Sequence, residues 1–258
     1  MDIHTLKGKR AVVCGATQGI GRAAAIELAN RGADVTVLAR DQETLEKLCS
    51  LLPAGNHHAL AADFSDNEAV RAAATHLASA PVHILVNNTG GPPGGPIVEA
   101  TAEAFLAAFR QHTVNNHILA QALLPRMREA SYGRIINIVS TSVREPIAGL
   151  GVSNTIRASV AGWAKTLANE VARFGITVNN VLPGYTKTQR LDAIIAARAK
   201  AAGKEPELIE RDMKAQVPAA RFAEAWEVAA AIGFLASPAA AYITGVSLPV
   251  DGGRIAAI

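Results

Sequence analysis

A glycine-rich turn near the start of the chain is the clearest place in this sequence for phosphate chemistry. Residues 14–21 read CGATQGIG and run from an apolar segment directly into the helix-forming sequence RAAAIELANRG. Gly15, Gly19 and Gly21 allow the backbone to approach a phosphate closely, and the helix that follows offers unpaired N–H groups and partial positive charge. The position of the turn between a first strand and a first helix favours a pyrophosphate site.

The residue that follows the second predicted strand bears on which dinucleotide such a turn would hold. Sites specific for NAD carry an acid here, which accepts hydrogen bonds from the ribose hydroxyls. This chain has Ala39 and Arg40 instead. A guanidinium binds a 2′-phosphate with charge-assisted, bidentate hydrogen bonds. We therefore expect NADP(H) to be preferred, with NAD(H) as the alternative if Arg40 is only a solvated loop residue.

Short apolar segments alternate with helical ones, and this alternation would place the turn at the edge of a sheet. Segments 41–52 and 157–173 have the spacing of helices. The pattern predicts βαβ units in a doubly wound, parallel α/β sheet, with ligands beyond the carboxyl ends of the strands. Six β-branched segments predict strands buried on both faces, and they are 11–13, 35–38, 84–86, 135–139, 177–181 and 246–248.

Two segments interrupt this alternation at the edge where a ligand is expected. The first is the glycine- and proline-rich sequence TGGPPGGP at 89–96. The second, at about 185–218, is rich in Ala, Lys and Arg, and we expect it to form helices that cover a ligand as a lid. Its basic residues, among them Arg190, could attract an acidic carrier or a carboxylate, or could form a solvated helical face.

Length, hydrophobicity, net charge and cysteine count limit the class of protein. The 258 residues fit one α/β domain, and no apolar run reaches the ~18 residues that a membrane span requires. The net charge of +3 comes from scattered basic residues, so neither a nucleic acid nor a membrane is expected as a partner. Cys14 and Cys49 lack metal-type spacing, and we expect two free thiols, no metal and a cytoplasmic location.

These motifs make the sequence resemble the short-chain dehydrogenase/reductase family. The family's glycine motif is Thr-Gly-x-x-x-Gly-x-Gly, and only its threonine differs here, as Cys14. The resemblance continues with Asp63, NNTG at 87–90, PG at 183–184, Thr188 and VDGG at 250–253, and so spans nearly the whole chain. It implies a single Rossmann-like domain of three α/β/α layers over residues 1–258, similar to 3-oxoacyl-acyl-carrier-protein reductases.

The resemblance also implies which residues contact the cofactor. Asp63 would hydrogen-bond the adenine, the alternative being a helix cap or a turn residue. Asn88 and Gly90 would line the adenosine ribose, and Thr188 would hold the nicotinamide carboxamide. The expected cofactor-binding residues are Gly15, Thr17, Gln18, Gly19, Ile20, Gly21, Arg40, Asp63, Asn88, Gly90, Pro183, Gly184 and Thr188.

The family's catalytic residues are only partly present. Relatives use a serine to orient the carbonyl, a tyrosine to donate a proton, a lysine four residues later to hold the ribose, and an asparagine to steady a relay water. Ser140 stands at the serine position, but Ser153 and Arg157 replace the tyrosine and the lysine. Asn115 is the nearest candidate for the asparagine, although the family's spacing back from a Leu-Pro pair gives His112.

The two replacements have different chemical consequences. Arg157 stays charged at neutral pH and can still hydrogen-bond ribose hydroxyls. Ser153 is a far poorer acid than a phenol, and loss of a positioned proton donor typically costs about 10²- to 10⁴-fold in rate. Tyr185, His112 and His117 are alternative donors, and Ser153 could serve instead as the N-cap of a helix.

Two functions are therefore carried forward. One is an NADP(H)-dependent oxidoreductase with an atypical catalytic centre, which acts on a carbonyl or hydroxyl of a small or acyl substrate. The other is a catalytically weak or inactive dinucleotide-binding protein that serves in sensing or as a scaffold. The resemblance further implies a homotetramer or homodimer that uses the helices predicted at 102–127 and 153–173 and the last strand.

Overall fold

Residues 2–257, described by a computed structural model, form one parallel sheet of seven strands. The strands are β1 (Arg10–Cys14), β2 (Asp34–Ala39), β3 (His58–Ala61), β4 (Ile84–Asn87), β5 (Gly133–Ile138), β6 (Ile176–Pro183) and β7 (Ser247–Val250). Their order across the sheet is β3-β2-β1-β4-β5-β6-β7, with every neighbouring pair parallel. The predicted doubly wound α/β fold is thus confirmed.

Helices cover both faces of this sheet. They are α1 (Gly19–Asn30), α2 (Gln42–Leu51), α3 (Asn67–Ala78), α4 (Ala102–Phe109), α5 (Asn115–Glu129), α6 (Gly151–Val171), α7 (Gln189–Ala202), α8 (Pro206–Ala215) and α9 (Ala225–Ala236). Apolar side chains of α1, α2 and α9 share one buried cluster with the sheet, and those of α3, α5 and α6 share a second. No helix in residues 2–257 is long and apolar enough to cross a membrane.

The six strands predicted from apolar segments are all present, whereas β3 has no such signal in the sequence. Its four residues read HALA, and its residues are half-buried or exposed. β3 lies at the edge of the sheet and pairs only with β2. An edge strand lacks burial on both faces, so the continuous β-branched pattern of the central strands is not required there.

A row of hydrogen-bonded polar side chains crosses the carboxyl half of the sheet. The Asn87 amide donates to the Asn137 Oδ1 at 2.9 Å, and the Asn137 amide donates to the Asn180 Oδ1 at 2.9 Å. The Asn180 amide continues the row to the Ser247 Oγ at 3.1 Å. Because an unpaired buried amide costs about 1–3 kcal/mol, the row holds β4, β5, β6 and β7 in register, directly below the loops of the site.

The long helix predicted over 102–127 is interrupted. Between α4 and α5, residues Arg110–Val114 form a π-helical turn that contains the buried His112. Single π turns within α-helices frequently occur at functional sites, because the extra residue re-aims the side chains that it carries. The bulge therefore decides which residues of this helix face the sheet edge.

The segment predicted as a lid forms α7 and α8 after the end of β6. Their apolar faces pack into a small cluster of Leu191, Ile195, Met213 and Phe222, which is separate from the two main cores. Elements that rest on a small cluster of their own are the ones that can open at low free-energy cost. The position and packing of α7 and α8 thus suit a lid, which stays a prediction.

Candidate active site

The loops after β1, β4, β5 and β6 meet at the carboxyl edge of the sheet, and they carry most of the predicted site residues. β1 and β4 are adjacent in the sheet although they are not consecutive in the chain. This is the point where the strand order reverses, which opens the crevice that binds ligands in doubly wound folds. Asn88 and Ser140 lie within two residues of the ends of β4 and β5 on the β5 side of the crevice, and the glycine turn lies on the β1 side.

The glycine turn is packed so tightly that no side chain fits at two of its positions. A Cβ at Gly21 would lie 2.1 Å from the Gly15 carbonyl oxygen, and one at Gly15 would lie 2.6 Å from the Asn88 carbonyl oxygen. The Asn88 side chain also donates to the Gly15 carbonyl at 3.2 Å. Asn88 thereby fastens the turn to the end of β4, in addition to any contact with a ribose.

The amino end of α1 is available to an anion. Its N-cap residue, Gln18, makes no side-chain capping bond, and the first turn contains no acidic residue. The first backbone N–H groups of a helix need partners, and phosphate oxygens are suitable ones. Gly19 faces Thr188 closely, with an added Cβ only 3.1 Å from the threonine methyl group. The uncapped amino end of α1 therefore suits the pyrophosphate of a dinucleotide.

The remaining predicted cofactor residues lie around the same crevice. Thr17 is half-buried in the turn, and the Ile20 side chain packs against the core, so that only its backbone faces the crevice. Pro183 ends β6, and the Gly184 N–H donates to the Val250 carbonyl at 3.0 Å. Gly90 has open space where a Cβ would be, which leaves room for a sugar.

Arg40 and Asp63 mark the far end of the crevice, beyond β2 and β3. Hydrogen bonds from Ser65, reinforced by the charge of Arg40, lower the pKa of the Asp63 carboxyl. Asp63 accepts from the Ser65 N–H at 2.9 Å in a local turn, and the N-cap of α3 is Asp66 rather than Asp63. Arg40 is exposed and forms no ion pair within residues 2–257. Its guanidinium is free to bind a phosphate.

Ser140 is held with its hydroxyl hydrogen available. The residue directly follows Val139 beyond β5, and its Oγ accepts a hydrogen bond from the Ser142 N–H at 3.0 Å. That bond uses an acceptor position of the hydroxyl and leaves the O–H free to donate. A half-buried hydroxyl donor at the ligand edge is the arrangement needed to polarise a carbonyl.

Ser153 and Arg157 lie four residues apart on one face of α6. The helix begins at Gly151 with Leu150 as its N-cap, so the alternative of Ser153 as N-cap is wrong. Ser153 instead lies in the first turn and is 8% exposed. The Arg157 guanidinium donates to the Ile138 carbonyl at 3.0 Å, which joins α6 to β5 two residues before Ser140. Burial, with a smaller effect of Arg190, lowers the pKa of Arg157 to about 10, so it stays charged at neutral pH.

His112 reaches the same region from the π turn. Its Nδ1 is 2.7 Å from the Thr89 hydroxyl, and its Nε2 is buried with no hydrogen-bond partner in the described residues. Burial, and secondarily the charge of Arg157, lower the pKa of His112 to about 3. The ring is therefore neutral, and its Nε2 keeps an unused hydrogen-bonding position among the described residues.

The neutral state of His112 predicts a specific acid sensitivity. Between the ordinary histidine pKa of 6.5 and about 3, the unfolded chain binds a proton that the folded chain does not. The free energy of unfolding should therefore fall as pH falls through that window, by at most about 1.4 kcal/mol per pH unit from this residue. Urea unfolding at about pH 5 and pH 7 measures this change. The free energy of unfolding should differ less between the two pH values in His112→Gln than in the wild type. The exposed His117→Gln is the control, and an unchanged difference in His112→Gln would contradict a neutral buried ring.

Three other candidates point away from the site. Asn115 donates to the Phe64 and Gln111 carbonyls and accepts from Asn67, so its described bonds join α3 to the π turn rather than reach Ser140. His117 is exposed on α5. The Tyr185 hydroxyl donates to the Gln216 side chain at 3.2 Å, at the lid. Of the two asparagine candidates, His112 is the one that contacts the loop after β4, through Thr89.

Two contacts of the site were not assigned from the sequence. Thr89, which orients His112, lies in the NNTG motif at 87–90, which assigns it no role of its own. Arg190 was noted only as one basic residue of the lid, yet it donates to the Gly91 and Pro92 carbonyls across the crevice. Both roles depend on loops that meet in space, and no spacing along the chain reveals them.

Comparison with known proteins shows which proteins this chain resembles over its length. A family profile described as enoyl-(acyl carrier protein) reductase matches residues 15–254. FabG, the 3-oxoacyl-(acyl-carrier-protein) reductase of Pseudomonas aeruginosa, is 34% identical over 254 residues, covering 96% of this chain and 98% of that protein. The 2,3-dihydroxy-2,3-dihydro-p-cumate dehydrogenase of Pseudomonas putida is 36% identical over 255 residues, covering 96% and 95%.

A solved structure agrees with these sequence relatives. The crystal structure of L-sorbose reductase from Gluconobacter frateurii, complexed with NADPH and L-sorbose, has a TM-score of 0.93 and 30% identity to this chain, with 100% of both chains covered. The profile, the relatives and this structure each span nearly the whole chain and confirm the family expected from the motifs. The chain belongs to the short-chain dehydrogenase/reductase family, as a FabG-like member.

Proposed function

We propose that this protein is an NADP(H)-dependent oxidoreductase that transfers hydride to or from a carbonyl or hydroxyl carbon. The observation that carries the proposal is Ser140, whose O–H is free to donate at the edge of a crevice that fits a dinucleotide. Relatives support the same class, since FabG and the L-sorbose reductase are named as reductases and the latter was solved with NADPH. We extend this to a small or acyl carbonyl substrate.

The crevice would hold the cofactor through residues at both of its ends. The amino end of α1 and the glycine turn would bind the pyrophosphate, Thr188 would hold the nicotinamide carboxamide, and Asn88 and Gly90 would contact the adenosine ribose. At the far end, Asp63 would bind the adenine and Arg40 the 2′-phosphate, because a guanidinium pairs well with phosphate oxygens. When bound, the nicotinamide supplies or accepts the hydride.

The catalytic centre would work with Ser140 and Arg157. Ser140 donates to the carbonyl oxygen and stabilises the negative charge that develops there. Arg157, fixed by the Ile138 carbonyl, keeps a positive charge beside the same oxygen and is placed to bond ribose hydroxyls. Proximity and polarisation together leave a reductase that is slower than one with a phenol, but functional.

Proton transfer would rest on His112 rather than on Ser153. A serine hydroxyl without a general base is a poor acid, and the structure gives Ser153 no such base. His112 is neutral, is oriented by Thr89 of the loop after β4, and has an unused Nε2. It is suited to hold a proton-relay water, the task of the asparagine that the family resemblance implies at this position.

A second function is favoured by the tyrosines. The Tyr132 hydroxyl donates to the Ala236 carbonyl, the Tyr185 hydroxyl donates to Gln216, and Tyr242 is fully exposed. None of these three, the only tyrosines in the sequence, bonds a residue of the catalytic centre. A dinucleotide-binding protein of weak or no activity, which senses or scaffolds, is the alternative that this arrangement supports.

Calorimetric titration with NADPH and NADH tests the cofactor proposal. We expect NADPH to bind at least about tenfold tighter, since one charge-assisted contact contributes about 1.5–3 kcal/mol. Arg40→Glu should remove the preference, because a carboxylate repels the 2′-phosphate, whereas Arg71→Glu on the exposed face of α3 should leave it unchanged. Equal affinities in the wild type would contradict the preference, and failure to bind either nucleotide would overturn the cofactor site.

Turnover then separates the two functions. The absorbance of bound NADPH is followed against a panel of 3-oxoacyl and diketone substrates. Oxidation supports the reductase, and binding without oxidation across the panel supports the sensor or scaffold.

For the assembly we propose a homotetramer or homodimer in the cytoplasm. Leu106 and Phe109 of α4 expose large apolar side chains, as does Val246 beside β7, on elements that the family resemblance implies at the interfaces. Exposed apolar groups clustered on such elements are typical of surfaces that associate.

A further inference from the structure

Two guanidinium groups converge on the glycine-rich loop after β4. A Cβ built at Gly91 would lie 3.2 Å from a terminal nitrogen of Arg190 and 3.5 Å from a terminal nitrogen of Arg157. Arg157 comes from α6 on one side, and Arg190 comes from the first turn of α7 on the other. The two side chains thus border one small space, which a side chain at position 91 would fill.

Neither cation has an acidic partner. Ion pairs among the described residues involve neither Arg157 nor Arg190. Arg190 uses two of its donors on the Gly91 and Pro92 carbonyls, and Arg157 uses one on the Ile138 carbonyl. A guanidinium has five N–H donors, so both keep unused ones. Like charges that border the same small space favour an anion between them.

The cofactor phosphates do not explain this anion site. The pyrophosphate fits the uncapped amino end of α1 beside Thr188, and the 2′-phosphate fits Arg40 at the far end of the crevice. The guanidinium pair lies at the opposite end, where Arg157 anchors to β5 close to Ser140. An anion bound there would be part of the substrate.

We propose that Arg190, together with Arg157, binds a carboxylate group of the substrate, so that the reacting group belongs to a short oxo or hydroxy acid anion. The proposal rests on the function proposed above and narrows its substrate class. Planar guanidinium groups match a carboxylate through paired N–H···O bonds, which also fix the orientation of the neighbouring carbon chain. A neutral thioester on a carrier protein would leave both cations unpaired.

Arg190 could instead serve only to hold the lid against the loop after β4, through its bonds to the Gly91 and Pro92 carbonyls. The variants are chosen to separate this structural role from carboxylate binding. Arg190→Gln removes the charge and most of the donors. Arg190→Lys keeps the charge but cannot reproduce both carbonyl bonds. Arg71→Gln, on the exposed surface of α3, removes a charge elsewhere as the matched control.

The probes are acetoacetate and acetylacetone, which have nearly the same shape but differ by a carboxylate. Calorimetry on the NADP⁺ complex measures their binding without turnover, and NADPH oxidation measures KM where there is activity. In Arg190→Gln we expect the Kd and KM of acetoacetate to rise about 10- to 100-fold and those of acetylacetone to change less than about threefold. Arg190→Lys should keep most of the preference, and Arg71→Gln all of it.

Three outcomes would overturn the carboxylate site. If Arg190→Gln and Arg190→Lys lost affinity equally for acetoacetate and acetylacetone, Arg190 would only hold the lid against the loop. If Arg190→Gln bound NADP⁺ itself more weakly, Arg190 would be a cofactor contact. Absence of acetoacetate binding to the wild-type complex would also reject the site. Binding that depends on Arg190 without any oxidation of NADPH would retain the carboxylate site and reject the reductase instead.

Discussion

Gly21→Ala is expected to weaken NADPH binding about 100-fold and to destabilise the fold by about 1–3 kcal/mol. The added methyl group would lie 2.1 Å from the Gly15 carbonyl oxygen and 2.7 Å from the Asn88 amide nitrogen. Either the glycine turn or the start of α1 must move, and the N–H groups that would face the pyrophosphate move with it. Calorimetric titration and urea unfolding measure the two effects.

Gly162→Ala is the matched control for this change. Gly162 also lies inside a helix, α6, but a Cβ there meets nothing within 4 Å. The same substitution should therefore stabilise the protein by up to about 1 kcal/mol, through helix propensity alone, and leave NADPH affinity unchanged. If Gly21→Ala and Gly162→Ala changed NADPH affinity and the free energy of unfolding to the same extent, the close contact at Gly21 would not be what sets the conformation of the glycine turn.

Ser140→Ala is expected to lower kcat about 100-fold or more in any substrate that the wild type reduces. The variant lacks the O–H donor that would stabilise the developing oxyanion, and loss of one such donor typically costs 10²- to 10³-fold. NADPH affinity should stay within about threefold, because the Ser140 hydroxyl bonds only the Ser142 N–H in the described structure. Steady-state kinetics and titration separate the two quantities.

Ser140 also caps the short helical turn Thr141–Val143, so a capping role must be distinguished from a catalytic one. Ser140→Thr keeps both the acceptor and the donor in the extended backbone conformation found there, and it should retain activity within about tenfold. Activity of Ser140→Ala equal to that of the wild type would remove Ser140 from the mechanism. Equal loss in Ser140→Thr and Ser140→Ala would indicate that packing, not the hydroxyl, matters at this position.

The layered fold was predictable because its signals are local. Central strands buried on both faces require continuous apolar residues, and the helices between them require an apolar face, so both leave periodic patterns in the chain. β3 left no pattern, because an edge strand of four residues is held by its hydrogen bonds to β2 and not by burial. The glycine turn could also be predicted from the sequence, because only glycine fits where two backbone segments are in contact.

The residues of the proposed catalytic centre could be predicted from the sequence only in part. Position in a motif identified Ser140, Ser153 and Arg157. The choice between Asn115 and His112 required the π turn, which directs His112 toward Thr89 in the loop after β4 and Asn115 toward the start of α3. A bulge of this kind arises from packing against neighbouring helices, so the helical periodicity of the sequence does not reveal it.

The sequence by itself determined the parallel sheet and the family, and it predicts a phosphate-binding turn and Ser153 and Arg157 in place of the family's tyrosine and lysine. Only the tertiary structure decided that Thr89 orients His112, and that Arg157 and Arg190 meet beside Gly91 without an acidic partner. The first set follows from interactions between residues near one another in the chain. The second depends on loops from β4, α6 and α7, which are brought together only because the strands end at a common edge and the buried asparagine row holds them in register.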